Sequence, residues 1–247
     1  MIYDFAILYW GMTRSAKRTF LSQAKNIDYI LDNNNLTYKK FLHTWVTTDN
    51  RQMVWGWYSE DTIDDKEYRF LNPDFVKVDN QDDFLANIDM TKYYYEDVAK
   101  QYGAHAMRPP QQPGEWRFDL VRNHVCALES MKRCLGLLEE FQKEGHSFRF
   151  IMFLRPDAMV HTILPLHQIL AHENKIHIPF WGHYGGLNDR FAIMNYKNAC
   201  LYAKRIDELE EYRKTHNRIV SEEYNKFIIN KYAMDVNLIQ FQFDLER

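Results

Sequence analysis

Apolar and polar positions alternate along this chain in blocks whose lengths suit strands and helices in turn. Ile2 to Trp10 is an apolar run of strand length, and it ends at Gly11-Met12-Thr13-Arg14-Ser15. Phe20, Ala24, Ile27 and Leu31 then recur at spacings of four, three and four, which is one face of a helix. Asp32-Asn33-Asn34-Asn35 stops that helix, and Phe41 to Val46 reads as a second strand. Strand, loop, helix and strand in this order predict a βαβ unit and therefore a parallel sheet.

The middle of the chain is less periodic. Residues 50–118 are dense in Tyr, Trp, Asp and Asn. Within them Phe75 to Val78 predicts a short strand and Asp82 to Ile88 a short helix. Residues 103–117 carry Gly103, Pro109, Pro110, Pro113 and Gly114 and predict a loop. The longest helix is expected from Asp119 to Phe141, with Val121, Val125, Leu128, Leu135 and Leu138 as its apolar stripe. Asp119 suits its N-cap, and Gly145 lies beyond its end.

Phe148 to Leu154 follows as a strand buried on both faces from Phe150 onward, and it runs straight into Arg155-Pro156-Asp157. Beyond it the pattern predicts a short helix near Leu164 to Ala171 and strands near Ile176 to Phe180 and Arg190 to Met194. Helices over Tyr196 to Tyr212 and Ser221 to Asn230 and a last strand over Val236 to Phe243 complete the chain. The fold expected is one α/β domain over 1–247, with a mostly parallel central sheet and helices on both faces. Its first part, to about residue 160, is read as nucleotide-binding and the rest as facing an acceptor. The strand ending at Leu154 belongs at the sheet's centre.

Composition narrows the function classes. A chain of 247 residues is within reach of one hydrophobic core, and 46% hydrophobic with 15% aromatic content excludes a disordered chain. The formal net charge of -3 leaves no global basic field, so nucleic acid is not expected as a partner. No apolar run reaches the roughly 18 residues of a spanning helix. The N-terminal apolar run is short and lacks a basic leader, a poor match to a signal peptide, so a cytoplasmic location is expected. Cys126, Cys134 and Cys200 suit a reducing compartment. On one helix the first two sit roughly 12 Å apart, too far for a disulfide.

In an open α/β sheet, ligands bind outside the carboxyl ends of the strands. Gly11, Thr13 and Arg14 follow the first strand: Gly11 lets a ligand approach the backbone, and Arg14 pairs with phosphate or stacks on a base. A simple turn with a solvated arginine is the other reading. Asp157 ends the central strand at an abrupt switch from apolar to polar. An acid there suits a Mg²⁺ or Mn²⁺ ion bridging a diphosphate, and otherwise a helix cap or an ion pair with Arg155. His183 to Arg190, with Gly185, Gly186, Asn188, Asp189 and Arg190, suits a substrate-shaping loop, or else a tight turn closed by an Asp189–Arg190 pair. Glu222 follows Ser221 at a helix start, where acids are favoured in any case. The aromatic stretch Trp55 to Tyr58 suits sugar stacking or plain packing. HExxH, GxSxG, GxxxxGK[ST] and GxGxxG are absent from the sequence.

Taken in order, Gly11-x-x-Arg14, Phe41-Leu42-His43-Thr44-Trp45, Arg155-Pro156-Asp157, Gly186 to Ile193 and Ser221-Glu222 resemble GT-A-like glycosyltransferases of large DNA viruses and bacteria. The resemblance spans nearly the whole chain, although residues 50–118 add little to it. It implies a GT-A-like fold, a nucleotide-diphospho-sugar donor and transfer of a hexosyl or pentosyl group to a hydroxyl of a glycan or other acceptor. It puts Gly11, Thr13, Arg14, Arg155, Gly185, Gly186, Asn188 and Arg190 at the donor, Asp157 at a Mn²⁺ or Mg²⁺ ion, and Asp189 or Glu222 as general base. One departure matters: Arg155 stands where such enzymes carry the first acid of Asp-x-Asp. That arginine either neutralises the diphosphate itself or supports Asp157, and it keeps a non-catalytic nucleotide- or sugar-binding module as the alternative. A sugar-nucleotide synthetase is a third option, weakened by the lack of its Gly-rich, basic N-terminal loop.

Overall fold

The computed structural model describes residues 1–49, 51–54, 57–95, 118–216 and 218–246. The expected loop over 103–117 and Trp55 lie outside the described residues, as do the side chains of Trp57, Tyr58 and Asp119. The strands are β1 (Ile2–Trp10), β2 (Tyr38–Val46), β3 (Arg51–Val54), β4 (Trp57–Thr62), β5 (Phe75–Asn80), β6 (Ser147–Leu154), β7 (Ala158–Val160), β8 (Ile176–Pro179), β9 (Phe191–Met194), β10 (Val236–Ile239) and β11 (Phe243–Leu245). The helices are α1 (Ala16–Gln23), α2 (Tyr29–Asn33), α3 (Gln81–Ala86), α4 (Phe118–Gln142), α5 (Leu166–Leu170), α6 (Tyr196–Ala203), α7 (Leu209–Thr215) and α8 (Ser221–Lys231).

The central sheet has seven strands in the order β10-β8-β9-β6-β1-β2-β5. All of them run parallel except β9, which is antiparallel to both β6 and β8. This is the mixed, mostly parallel α/β sheet that the alternation of strands and helices predicts, with β6 near its middle. Alternate residues of each strand face opposite layers. Phe5, Ile7, Tyr9, Phe150, Met152, Leu154, Phe191 and Ile193 meet α1, α2 and α5 on one side. Ala6, Leu8, Trp10, Ile151, Phe153, Ala192 and Met194 meet α4 and α6 on the other. The stripe expected on α4 is buried throughout, its first half against Ile206, Leu209, Tyr212, Tyr224 and Ile228. Cys126 and Cys134 are buried and free, as their spacing requires. Among the described residues no helix is long and apolar enough to cross a membrane.

Three elements differ from the expected pattern. The helix after β1 passes through a turn of π-helix at Ala24–Asp28 before α2. The wider turn brings both Ile27 and Asn26 inward, and the Asn26 amide donates to the Val160 carbonyl at 2.8 Å. The helix expected over 196–212 breaks at a 3-10 segment, Lys204–Glu208, between α6 and α7. The last strand divides: β10 joins the main sheet, while β11 pairs antiparallel with β7 in a separate ribbon. At three residues, β7 is too short for any periodicity to reveal it.

The sheet has its switch point between β1 and β6. From β1 the chain builds outward through β2 and β5, and from β6 it builds the other way. Tyr9 of β1 lies opposite Leu154 of β6, so their carboxyl ends are level. Leu154 also faces Phe191, so antiparallel β9 starts at this same edge. Helix α1 is fastened to the turn after β6. Thr19 Oγ1 donates to the Pro156 carbonyl at 2.6 Å, and Gln23 Nε2 donates to the carbonyls of Pro156 at 3.1 Å and Ala158 at 2.8 Å. Both side chains are buried, so these carbonyls have no solvent to fall back on. Gln23→Ala is therefore expected to lower the unfolding free energy by about 1–3 kcal/mol, measured by urea denaturation.

Candidate functional site

Sequence-distant segments meet at the switch-point edge. The turn after β1 carries Arg14, the turn after β6 carries Arg155 and Asp157, the approach to β9 carries Asn188, Asp189 and Arg190, and the first turn of α8 carries Glu222.

At the centre stands Asp157, fully buried. Arg155 grips it in a two-point fork, Nε to Oδ1 at 2.7 Å and Nη2 to Oδ2 at 2.6 Å. Arg14, with 10% of its side chain exposed, sits 3.5 Å from the same Oδ2. A planar guanidinium matches a carboxylate in this way, and a buried carboxylate requires such a partner. Burial lowers the pKa of Arg14, Asp157 raises it again, and the nearby charge of Arg155 adds to the lowering. For Arg155, burial also works against the charged form, but Asp157 and then Asp189 outweigh it. The Arg155 guanidinium also lies 5.4 Å from the centre of the Trp10 ring.

The expected cation on Asp157 does not fit these surroundings. Both carboxylate oxygens are taken by Arg155, and Arg14 adds a second cation at 3.5 Å. Among the described residues no group of three His, Cys, Asp or Glu side chains is arranged to hold a metal. This is not the donor set of a Mg²⁺ or Mn²⁺ centre.

The loop before β9 is set by its own chemistry. Asn188 is fully buried and turned inward. Its Nδ2 donates to the Trp181 carbonyl at 3.1 Å, and its Oδ1 accepts from the Arg190 N–H at 2.9 Å. Asn225 of α8 donates to the Asn188 carbonyl at 2.9 Å. Asn188 thus shapes the loop with the groups that a ligand would need. Gly186 is also accounted for by packing: a Cβ there would fall 1.8 Å from the Glu222 carbonyl oxygen. Gly185 holds φ at +86°, which a side chain would resist. Thr13 is buried, with its hydroxyl 3.4 Å from that of Thr44. Gly11 holds φ at +96° and opens the turn that carries Arg14.

The Asp189–Arg190 pair considered as an alternative does not form. Arg190 Nη2 donates instead to Glu222 Oε1 at 2.6 Å, and Ser221 donates to Glu222 Oε2 at 2.9 Å. Glu222 is buried, and burial followed by the charge of Asp189 raises its pKa, with Arg190 opposing. Asp189 keeps one oxygen, Oδ1, buried and without a hydrogen-bond partner among the described residues. Its charge is felt by Arg155, His124, Tyr202 and Glu222.

His124 is the residue that sequence reading missed. It shares the buried side of α4 with Val121, Val125 and Leu128, and its Nε2 is buried without a hydrogen-bond partner among the described residues. Burial lowers its pKa to about 4, with Asp189 working the other way. A histidine within an apolar helical stripe was the available signal, but nothing in the sequence says which loop it faces.

No protein-family model matches this chain, and no curated protein matches it. Among solved structures, the apo form of mouse xyloside xylosyltransferase 1 aligns over 97% of this chain and 85% of its own, with a TM-score of 0.42 and 10% identity. A likeness that remote carries no weight for function, which rests on the edge described above.

Glu222 gives this site a pH signature. Its raised pKa means that the folded protein holds the proton to higher pH than the unfolded chain does. The stability it contributes is full below the ordinary carboxylate value of 4.5 and is lost as pH rises through the raised one. Urea denaturation from pH 4.5 toward neutrality should therefore show a shallower decline for Glu222→Gln than for the parent chain.

Proposed function

We propose that this protein is a glycosyltransferase that moves a sugar from a nucleotide-diphospho-sugar to a hydroxyl acceptor, in the manner of GT-A-like enzymes. The observation that carries the reading is the pair of guanidiniums, Arg14 and Arg155, converging on one buried carboxylate at the switch point of a mostly parallel sheet. That is the place where such sheets bind nucleotides, and guanidinium is the group suited to diphosphate. The ordered motifs that resemble this family meet at the same edge.

In this reaction the bond between the anomeric carbon and the β-phosphate oxygen breaks, and the nucleoside diphosphate leaves with the bonding pair. Arg14 and Arg155 take up the charge that develops on it, the task given to a metal ion in the Asp-x-Asp pattern. Asp157 holds both guanidiniums in position and is not itself a ligand of the donor. The acceptor oxygen forms the new bond, and its proton passes to a carboxylate. Asp189 is the candidate base, since one of its oxygens has no partner while both oxygens of Glu222 are engaged. Gly11 and Thr13 shape the turn beneath the donor, and Gly185, Gly186, Asn188 and Arg190 shape the opposing loop. A hexosyl or pentosyl group and a glycan acceptor remain the substrate classes suggested by the family resemblance.

The test is donor turnover, followed as released nucleoside diphosphate from UDP- and GDP-sugars with acceptor. Asp189→Asn is expected to lower turnover by about 10²–10⁴-fold with donor affinity nearly unchanged, as for loss of a general base. Chelation of divalent metal is expected to leave transfer in place. A chain that binds nucleotide-sugar but transfers nothing with any acceptor is the non-catalytic module instead.

A further inference from the structure

The motif Phe41-Leu42-His43-Thr44-Trp45 has no part in the chemistry above, yet His43 lies at the centre of a buried polar chain that ends at the Gly11 turn. His43 and Ser130 are both fully buried. The Gly11 N–H donates to Ser130 Oγ at 2.7 Å. Ser130 Oγ lies 2.7 Å from His43 Nδ1, and His43 Nε2 lies 3.1 Å from Asp79 Oδ2. Asp79, at the end of β5, also accepts from Arg133 Nη1, and Arg133 Nε donates to Glu129 at 2.8 Å.

The proton positions follow from the partners. Asp79 carries a negative charge beside Arg133 and accepts only, so His43 Nε2 bears the proton and donates to it. Neutral His43 then presents a lone pair at Nδ1 to the Ser130 hydroxyl at 2.7 Å, and the same hydroxyl also lies within donating distance of the His43 carbonyl at 3.2 Å. Burial favours that neutral form by lowering the His43 pKa to about 4. Ser130 Oγ is left with a lone pair for the Gly11 N–H. The chain runs from the edge strand β5 through β2 and α4 to the carboxyl end of β1.

We infer that Ser130 and His43 are positioning residues that hold the Gly11-to-Arg14 turn in the shape that presents Arg14 to the donor diphosphate. This rests on the proposed donor site but stands on separate atoms, because neither residue contacts Arg14, Arg155 or Asp157. Gly11 is the first residue after β1 and has a left-handed backbone, so its amide has left the strand ladder and needs an acceptor elsewhere. Ser130 supplies one from a long, well-packed helix. Without it, the turn has a half-buried amide with no acceptor and a reason to rearrange.

The experiment measures UDP and GDP affinity by calorimetry, amide hydrogen exchange at Gly11, and urea stability. It compares the parent chain with Ser130→Ala, Ser130→Thr and Ile176→Val. Ile176 is a buried residue of β8, away from the turn, and its variant is the control for stability loss alone. Ser130→Ala is expected to weaken nucleoside diphosphate binding tenfold or more and to expose the Gly11 amide to exchange. Ser130→Thr, which keeps the hydroxyl, is expected to restore both, and Ile176→Val to leave affinity within twofold. The inference is overturned if the Gly11 amide exchanges freely in the parent chain, or if Ser130→Ala binds as the parent does. If the parent protects Gly11 but binds no nucleoside diphosphate, the donor-site reading fails and with it the positioning role, while the hydrogen-bond chain itself stands.

Discussion

The turns after β1 and β6 are built around one buried carboxylate. Asp157 is fully enclosed, and a buried charge is tolerated only when it is paired and hydrogen-bonded. Arg155 meets that need from two residues away, and Arg14 approaches from the turn after β1. The surrounding backbone is arranged around this knot. Thr19 and Gln23 secure the Pro156 carbonyl, and the Glu246 N–H donates to the Asp157 carbonyl at 2.8 Å. Ser15 in turn donates to the Glu246 carbonyl, so the first turn, the central strand and the C-terminal segment converge on the same few residues. Removing the carboxylate would leave two guanidiniums without the acid that pairs them.

Two acids next to each other take different roles because their partners differ. Glu222 is held by Arg190 and Ser221, and this ties the loop before β9 to the start of α8. Gly186 allows the close approach, and Leu187 N–H donates to the same Glu222 carbonyl at 2.9 Å that a side chain at 186 would strike. Asp189 keeps one buried oxygen without a hydrogen-bond partner among the described residues, and its charge acts on Arg155 and His124.

Much of this was legible in the sequence. The apolar run of β6 and the abrupt switch at Arg155 placed a polar turn at the sheet's centre, and the stripe of α4 is buried as its spacing demands. The same reasoning read Asp157 as a metal ligand because an acid at a strand end attracts cations. Which cation it meets is a tertiary fact, and here it is guanidinium. Asn188 read as a ligand group because a polar amide in a glycine loop looks available, yet the loop uses that amide itself. Ser130 was not distinguishable from core filler, since its partner, the Gly11 turn, is far away in sequence. The three-residue strand β7 was out of reach of any periodic signal.

The central claim is that guanidinium, not metal, receives the diphosphate. The most direct measurement is calorimetric binding of UDP and GDP in the presence of excess EDTA, for the parent chain and for Arg155→Lys. A lysine keeps the charge but cannot reproduce the two-point fork. The account predicts that at least one nucleotide binds without metal and that Arg155→Lys weakens it by tenfold or more. Binding that appears only when Mn²⁺ or Mg²⁺ is restored, or that is unchanged by Arg155→Lys, would contradict it.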